Sequence, residues 1–218
     1  MTRSLVGIYG ASGFGREVLP LVRAQLKSSN PEIVFVDDGS VESPLNGYSV
    51  LSYEQFLAEK AQHKSMVFAI ANSEIREKLA KKCEGDKLTV LSVFAENSVL
   101  LDQVSIGNGA ILCHFTQLTS NIRVGEYFHA NIYSYVAHDC VIGDYVTFAP
   151  SVRCNGNVVI EDHAYIGTGA VIKQGTPEKP LVIGKGAVVG MGAVVTKDVP
   201  PGVTVVGNPA KIFQPRGA

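Results

Sequence analysis

The chain has 218 residues, a formal net charge of −1, and 46% apolar against 18% charged residues. Near-neutral charge gives no electrostatic basis for nucleic acid or an anionic membrane as partner, and no apolar run approaches the ~18 residues of a membrane span. The length suits one large or two modest domains, and the composition agrees with a soluble intracellular protein, with a cytoplasmic location expected.

Residues 1–92 follow an α/β pattern. Met1-Thr2-Arg3-Ser4 leads into Leu5-Val6-Gly7-Ile8-Tyr9, which reads as a β-strand over Ser4–Tyr9 and not as a signal peptide. Gly10-Ala11-Ser12-Gly13-Phe14-Gly15 follows, then a helix through Arg16–Leu19. A second strand, Glu32–Val36, ends in Asp37-Asp38. A third is expected over Met66–Ala71, then a helix capped by Ser73 with Ile75, Leu79 and Lys82 along it, and a last strand over Leu88–Val93. Parallel strands joined by helices place their carboxyl ends, and any ligand, on one edge of the sheet, as in a Rossmann-like βαβ domain.

The glycine turn after the first strand lets backbone amides at a helix N-terminus approach a phosphate, or serves only tight packing. Its spacing is Gly-x-x-Gly-x-Gly, not the dinucleotide Gly-x-Gly-x-x-Gly, and the domain is too short for two mononucleotide halves. Asp37-Asp38 can accept hydrogen bonds from a ribose hydroxyl or a base N–H; the plainer role is a solvated strand-end cap. Loop and acids together favour half a dinucleotide site, such as one for a nucleotide-sugar diphosphate.

From residue 93 to 218 the pattern changes. Every sixth position from Phe94 is apolar: Leu100, Ile106, Leu112, Leu118, Val124, Ala130, Val136, Ile142, Phe148, Cys154, Ile160, Ile166 and Ile172. At 46% apolar composition such a run arises by chance with odds of roughly 2 in 100,000, before the choice of phase. Period six is the mark of a parallel β-helix whose flat sides each bury one side chain at a fixed place. Ile106-Gly107, Val124-Gly125 and Ile142-Gly143 recur every eighteen residues, with Ile160-Glu161 next, so three sides make one triangular coil. Glycine there suits a tight corner or a positive φ. The phase breaks at Gln174–Pro180 and resumes at Ile183 and Val189 shifted by five, as expected for a loop extruded from one coil. Cys83, Cys113, Cys140 and Cys154 form no Cys-x-x-Cys pair and are expected to be free thiols.

His138 is the candidate for chemistry. It lies two residues past the inward Val136, near a corner and facing outward, and Gly156 occupies the same place one coil on. Adjacent coils are ~4.7–4.9 Å apart, so a base and an unhindered backbone N–H stand one rung apart. Acyl transfer needs that pair: proton removal from a nucleophile and a donor for the tetrahedral oxyanion. Asp139 could accept the other ring N–H and fix the tautomer, provided the corner breaks the strand alternation that sends neighbours to opposite faces. The plain alternative is a solvent-exposed bystander. Cys140 is the one candidate for a covalent route. His63, His114, His129 and His163 lack a metal-ligand spacing; His114 and His129 either line a groove or decorate the surface, the second being the expectation, and no metal is expected. Outward Phe115, Tyr127, Tyr133 and Tyr145 are too many aromatics for a fully wetted helix and point to association.

The hexapeptide run and the ending Val206-Gly207-Asn208-Pro209-Ala210-Lys211 resemble the left-handed β-helix acyltransferases. Gly10-Ala11-Ser12-Gly13-Phe14-Gly15 with Asp37-Asp38 narrows the resemblance to the sialic-acid and bacillosamine branch of sugar acetyltransferases, over essentially the whole chain. The resemblance implies acetyl-CoA-dependent N-acetylation of a UDP-4-amino sugar in glycan biosynthesis, by direct attack in a homotrimer with its coenzyme groove between neighbouring β-helices. It implies His138 as base, Asp139 (Glu in the relative) as its carboxylate, Gly156 as oxyanion donor and Asn131 lining the site. For the nucleotide sugar it implies Ser12, Gly13 and Phe14 (histidine in the relative), Asp37 and Asp38, and Ala71 (glycine in the relative). For coenzyme A it implies Gly167, Gly190 and Thr147, which stands where the relative has histidine. O-acetylation of a sialic acid or another sugar hydroxyl, and a non-catalytic nucleotide-sugar scaffold, remain open alternatives.

Overall fold

A strand that is apolar at nearly every position must be covered on both faces, and the first strand fixes the first unit in that way. The computed structural model describes residues 3–39 and 42–214. It divides into two units between Glu96 and Asn97, slightly beyond the boundary expected from the sequence. In the first, β1 (Ser4–Tyr9), α1 (Gly13–Gln25), β2 (Glu32–Val36), β3 (Val50–Leu51), α2 (Tyr53–Ala58), β4 (His63–Phe68), α3 (Ser73–Gly85) and β5 (Thr89–Val90) follow one another. The sheet has the order β3-β2-β1-β4-β5, parallel throughout. Leu5 and Ile8 of the central β1 are fully buried.

Three sequence expectations shift here. The third strand runs His63–Phe68 instead of 66–71, because the chain leaves the sheet after the Ala69 N–H donates to the Tyr9 carbonyl at 2.8 Å. Asn72, not Ser73, caps α3: its backbone is extended and its side-chain oxygen accepts the Ile75 N–H at 3.0 Å. The expected strand over 88–93 is two short ones, Thr89–Val90 and Val93–Phe94. The unforeseen α2 starts with a reciprocal Ser52/Gln55 capping box, a Ser-x-x-Gln signature present in the sequence.

The second unit is a left-handed parallel β-helix of three walls. Strands pair in parallel with a register of eighteen, as in Leu118 with Val136 and Val136 with Cys154. Beyond the extruded loop the pairing resumes with Ile160 against Ile183. Inward side chains from Leu112 to Ile172 are at most 6% exposed. Leu100 departs from the expected burial, at 41% exposed, because the first coil has a following coil but none before it in this unit. At the other end, Lys211–Ile212 folds back antiparallel on Thr204–Val206 and covers the edge of that one wall.

A second buried column runs from Ala110 to Ala170 at the same period, none of its members above 1% exposed. Thr116 and Ser134 interrupt it, so the apolar period alone does not reveal it. The Ser134 hydroxyl donates to the Ala149 carbonyl at 2.9 Å, and the Thr116 hydroxyl donates to that of Cys113 at 2.9 Å. Each coil wall therefore buries at least two of six residues, one from each column.

The corners are the surprise. From Gln103 to Gly169 every sixth residue is left-handed, with φ between +55° and +72°. Gly107, Gly125 and Gly143 are not among these residues; close approach of the next coil is what demands glycine there. A Cβ on Gly125 would strike the Asp144 carboxylate and lie 2.7 Å from the Gly143 carbonyl carbon. The outward aromatics are corner residues too, and two of the four are not exposed. Tyr127 and Tyr145 stack at 5.0 Å and are 1% and 7% exposed, with His163 stacked on Tyr145 at 5.2 Å. Phe115 and Tyr133 stack at 4.9 Å and remain exposed.

Gly125→Ala is expected to destabilise the protein by about 1–3 kcal/mol in chemical denaturation, through overpacking between rungs. Gly186→Asn, at a left-handed position with open space around it, should stay within about 0.5 kcal/mol of wild type.

Candidate active site

Asp139 is one of the left-handed corner residues, with φ of +58°. That conformation undoes the alternation of the strand, so the side chains of residues 138 and 139 emerge on the same side. The His138 Nδ1 lies 2.7 Å from Asp139 Oδ2. With the ring hydrogen on Nδ1 donated to the carboxylate, Nε2 keeps its lone pair. Both side chains are 46% exposed. The carboxyl group is held below the usual carboxylate range by the His138 contact first and by Asn121 second, whose Nδ2 donates to Oδ1 at 3.2 Å.

Gly156 lies directly beneath the imidazole. A Cβ there would sit 2.5 Å from His138 Cε1 and 2.6 Å from Nε2. The rung is tied by the Asn157 N–H donating to the His138 carbonyl at 3.0 Å and the Gly175 N–H donating to the Gly156 carbonyl at 3.0 Å. The Gly156 N–H itself donates to no protein group among the described residues. Cys140 faces the interior, 1% exposed, with its Sγ 3.3 Å from the Asn155 carbonyl oxygen. It offers no nucleophile to an outside ligand. Asn155 also takes the Tyr135 hydroxyl, at 2.9 Å, and so braces the wall beside the imidazole.

In the first unit a cavity of about 330 Å³ opens at the carboxyl ends of the strands, where β1 parts from β4 and the strand order reverses. Ser12, Asp37, Asp38 and Ala71 line it together with Tyr9 and Gly10. Gly13 and Phe14 begin α1 and do not line it. Gly10 has φ of +108° and approaches the Ala69 carbonyl so closely that a Cβ would lie 2.6 Å from its oxygen. Neither acid is a plain solvated cap. Asp37 accepts the N–H of Ala11 at 3.0 Å and of Gly39 at 2.9 Å, and so shapes the glycine turn. Asp38 accepts the Tyr9 hydroxyl at 2.5 Å and the Tyr53 N–H at 2.8 Å. Each carboxylate oxygen has a second lone pair to offer a ligand. Burial, and then the Asp38 carboxylate, keep the Tyr9 phenol protonated and push its pKa far above the ordinary value.

Comparison with known proteins agrees with both halves. Residues 6–83 match the family described as PglD N-terminal domain. The chain is 52% identical over 211 residues to GDP-perosamine N-acetyltransferase of Escherichia coli O157:H7, covering 95% of this chain and 96% of that protein. The chain belongs to the acetyl-CoA-dependent sugar N-acetyltransferases of the hexapeptide-repeat family. Among solved structures, WeeI from Acinetobacter baumannii AYE matches with a TM-score of 0.94 and 65% identity, over 96% of this chain and 100% of that one. The acetyltransferase domain of PglB from Neisseria gonorrhoeae FA1090 in complex with acetyl coenzyme A matches with a TM-score of 0.85 and 27% identity, over 98% and 100% of the two chains.

Within one chain of this family member, the expected site residues of the β-helix occupy two different corners. Asn131, Gly167 and Gly190 each follow the inward residue of one wall; His138 and Gly156 lie beyond the next wall. Gly167 and Gly190 stack on successive rungs, a Cβ on Gly167 lying 2.8 Å from the Gly190 carbonyl carbon. The Asn131 side chain donates to the Phe148 carbonyl at 2.8 Å. Thr147 stands in register between His129 and Tyr165 and is 4% exposed, so its side chain offers little surface for a coenzyme contact. His129 is not surface decoration: it is fully buried, in register with Ile111 and Thr147 on that wall. Sequence reasoning missed Asn121 and Tyr9. The signal for Asn121 was its place eighteen residues before Asp139; that for Tyr9 was its position at the end of β1, beside the acidic end of β2.

Asp38 gives this region a pH signature. Burial raises its pKa, but the Tyr9 hydroxyl, the Tyr53 N–H and Lys82 outweigh that, and the group titrates below its ordinary value. A depressed native pKa contributes stability that is present above the unfolded value, about 3.9, and is lost as the pH falls through the native one. Asp38→Asn is therefore expected to flatten the loss of melting temperature below about pH 4, followed by circular dichroism. An unchanged acid slope would remove Asp38 from the acid response.

Proposed function

We propose that the protein transfers the acetyl group of acetyl-CoA to the amine of a nucleotide-diphosphate-linked 4-amino sugar. The nucleotide occupies the cavity lined by Ser12, Asp37, Asp38 and Ala71, beside Gly13 and Phe14 at the start of α1. His138 is the general base. The free amine attacks the thioester carbonyl carbon as Nε2 removes an N–H proton, and the Gly156 N–H donates to the oxygen that gains the charge. Collapse expels the coenzyme thiolate, which takes the proton back from the imidazolium. Asp139 stabilises that imidazolium and, in the neutral ring, holds the hydrogen on Nδ1 so that Nε2 carries the lone pair. The observation that carries this reading is the imidazole seated on a glycine whose N–H is uncommitted. No acyl-enzyme is involved, since Cys140 faces inward.

For the nucleotide we favour guanosine diphosphate over the uridine diphosphate expected from the sequence. The reason is the relative of 52% identity named for GDP-perosamine, which the chain matches nearly end to end. A UDP-4-amino sugar of the bacillosamine type is the second reading, supported by the match of residues 6–83 to the PglD N-terminal domain. A homotrimer supplies the rest: the Asn131, Gly167 and Gly190 corner of one copy meets the His138 corner of a neighbour, and acetyl-CoA binds between them, with Thr147 beside its path. A cytoplasmic location suits both co-substrates.

His138→Ala is expected to lower kcat by about 10²–10⁴-fold with the oligomer unchanged by size-exclusion chromatography. Near-normal turnover in that variant ends the base assignment. Incubating the protein and acetyl-CoA with GDP- and UDP-linked 4-amino sugars and their 4-hydroxy counterparts, read by mass spectrometry, tests the acceptor. An acetylated GDP-amino sugar is the expected product. Acetylation of only the hydroxy sugars would replace the reading by O-acetylation, and nucleotide-sugar binding without any acetylated product would replace it by a scaffold.

A further inference from the structure

We infer that Asn121 is a positioning residue for the base, holding Asp139 so that the carboxylate keeps the His138 ring in its working tautomer and orientation. The inference rests on the proposed role of His138. Asn121 stands one coil before Asp139 at the same corner, and both are left-handed, with φ of +57° and +58°. Identical backbone conformations on adjacent rungs send the two side chains out side by side. The rung between them is locked: the Asp139 N–H donates to the Ser120 carbonyl at 3.0 Å, and the Arg123 N–H donates to that of Cys140 at 3.1 Å. The carboxylate then receives one donor on each oxygen, His138 Nδ1 on Oδ2 at 2.7 Å and Asn121 Nδ2 on Oδ1 at 3.2 Å.

A second donor is needed because the pair is wet. His138 and Asp139 are each 46% exposed, and an exposed ion pair holds its geometry weakly against solvent and side-chain entropy. Held only by the imidazole, the carboxylate could turn about its own side-chain bonds and release Nδ1. With Oδ1 pinned from the neighbouring coil, Oδ2 stays on Nδ1 and Nε2 stays above Gly156. An asparagine suits the place twice over, since it tolerates the left-handed backbone and presents a donor without a charge. Gln103, one coil further back with φ of +57°, makes no side-chain hydrogen bond to Asn121 or Asp139 and so serves as a control at the same corner.

Asn121→Gly removes the donor and keeps the left-handed backbone unstrained. Its kcat is expected to fall by about ten- to a hundredfold, the range seen when partners that orient a functional side chain are removed, with KM for acetyl-CoA and the amino sugar unchanged. Asn121→Asp, which replaces the donor by a like charge, should lose as much or more. Gln103→Gly should retain kcat. The decisive arm is a double-mutant cycle: in an Asp139→Gly background, adding Asn121→Gly should cost nothing further, because its partner is gone. A wild-type kcat in Asn121→Gly overturns the inference, as does a loss that multiplies undiminished in the Asp139→Gly background. Either result leaves the base assignment standing when His138→Ala remains inactive, whereas an active His138→Ala sinks the base assignment itself.

Discussion

A left-handed residue at every sixth position is the constraint on which the second unit depends. Twelve consecutive corners from Gln103 to Gly169 obey it, and ten of them are not glycine. Such a conformation costs a non-glycine residue about 1–3 kcal/mol. It persists because each corner is bracketed by rung hydrogen bonds to the coils on either side, such as the Tyr145 N–H to the Glu126 carbonyl at 2.8 Å. Stacked rings repay part of the cost, about 0.5–1.5 kcal/mol for a pair such as Tyr127 and Tyr145. In return, any residue repeated after eighteen positions lies over its predecessor at the rung spacing of ~4.7–4.9 Å. His138 over Gly156, Asn121 beside Asp139, and Tyr127 against Tyr145 are three products of one geometric rule.

That rule explains what could be read from the sequence and what could not. The large inward column is legible because it demands bulk: Leu112, Phe148 and Ile172 fill the axis of the prism. The second column is not, because Thr116 and Ser134 satisfy their hydroxyls on backbone carbonyls and interrupt the apolar run. The corners are only half legible. Asn121, Asp139, Asn157 and His163 are residue types that accept a positive φ, but Gln103, Phe115, Tyr133 and Tyr145 occupy the same conformation with no propensity for it. Of the two reasons expected for glycines 107, 125 and 143, the positive φ does not hold; they need the space their missing Cβ leaves at a tight corner.

In the first unit the strands, the glycine turn and the acidic pair could be located because each is local. What Asp37 and Asp38 hold was not local. Asp38 meets Tyr9, twenty-nine residues earlier, and the Tyr53 N–H, fifteen later, the latter at the start of a helix that periodicity alone did not reveal. Both acids therefore carry structural duties at the edge of the cavity as well as lining it. The turn's own glycines divide the work in the same way: Gly10 is required by its backbone angle and by its approach to Ala69, whereas a Cβ on Gly13 would meet only the Arg16 guanidinium, at 3.9 Å.

The two kinds of site differ in how their parts are brought together, and the difference bears on how the protein can vary. The cavity of the first unit gathers residues from loops at the ends of different strands, so its ligand can change by substitution in those loops with the sheet intact. The histidine corner has no such freedom. Residues 138 and 139 face the same way only because the second of them is left-handed, and the ring finds Gly156 beneath it only because the next coil repeats the first in register. An inserted residue between 139 and 156 would break that register and move the ring off the glycine. The extruded loop, Gln174–Pro180, lies after this stretch, and the chain rejoins the walls at Leu181 with register restored against Val158. Variation is thus admitted on the far side of the glycine, while the segment carrying the proposed base, its carboxylate and its oxyanion donor keeps the unbroken period.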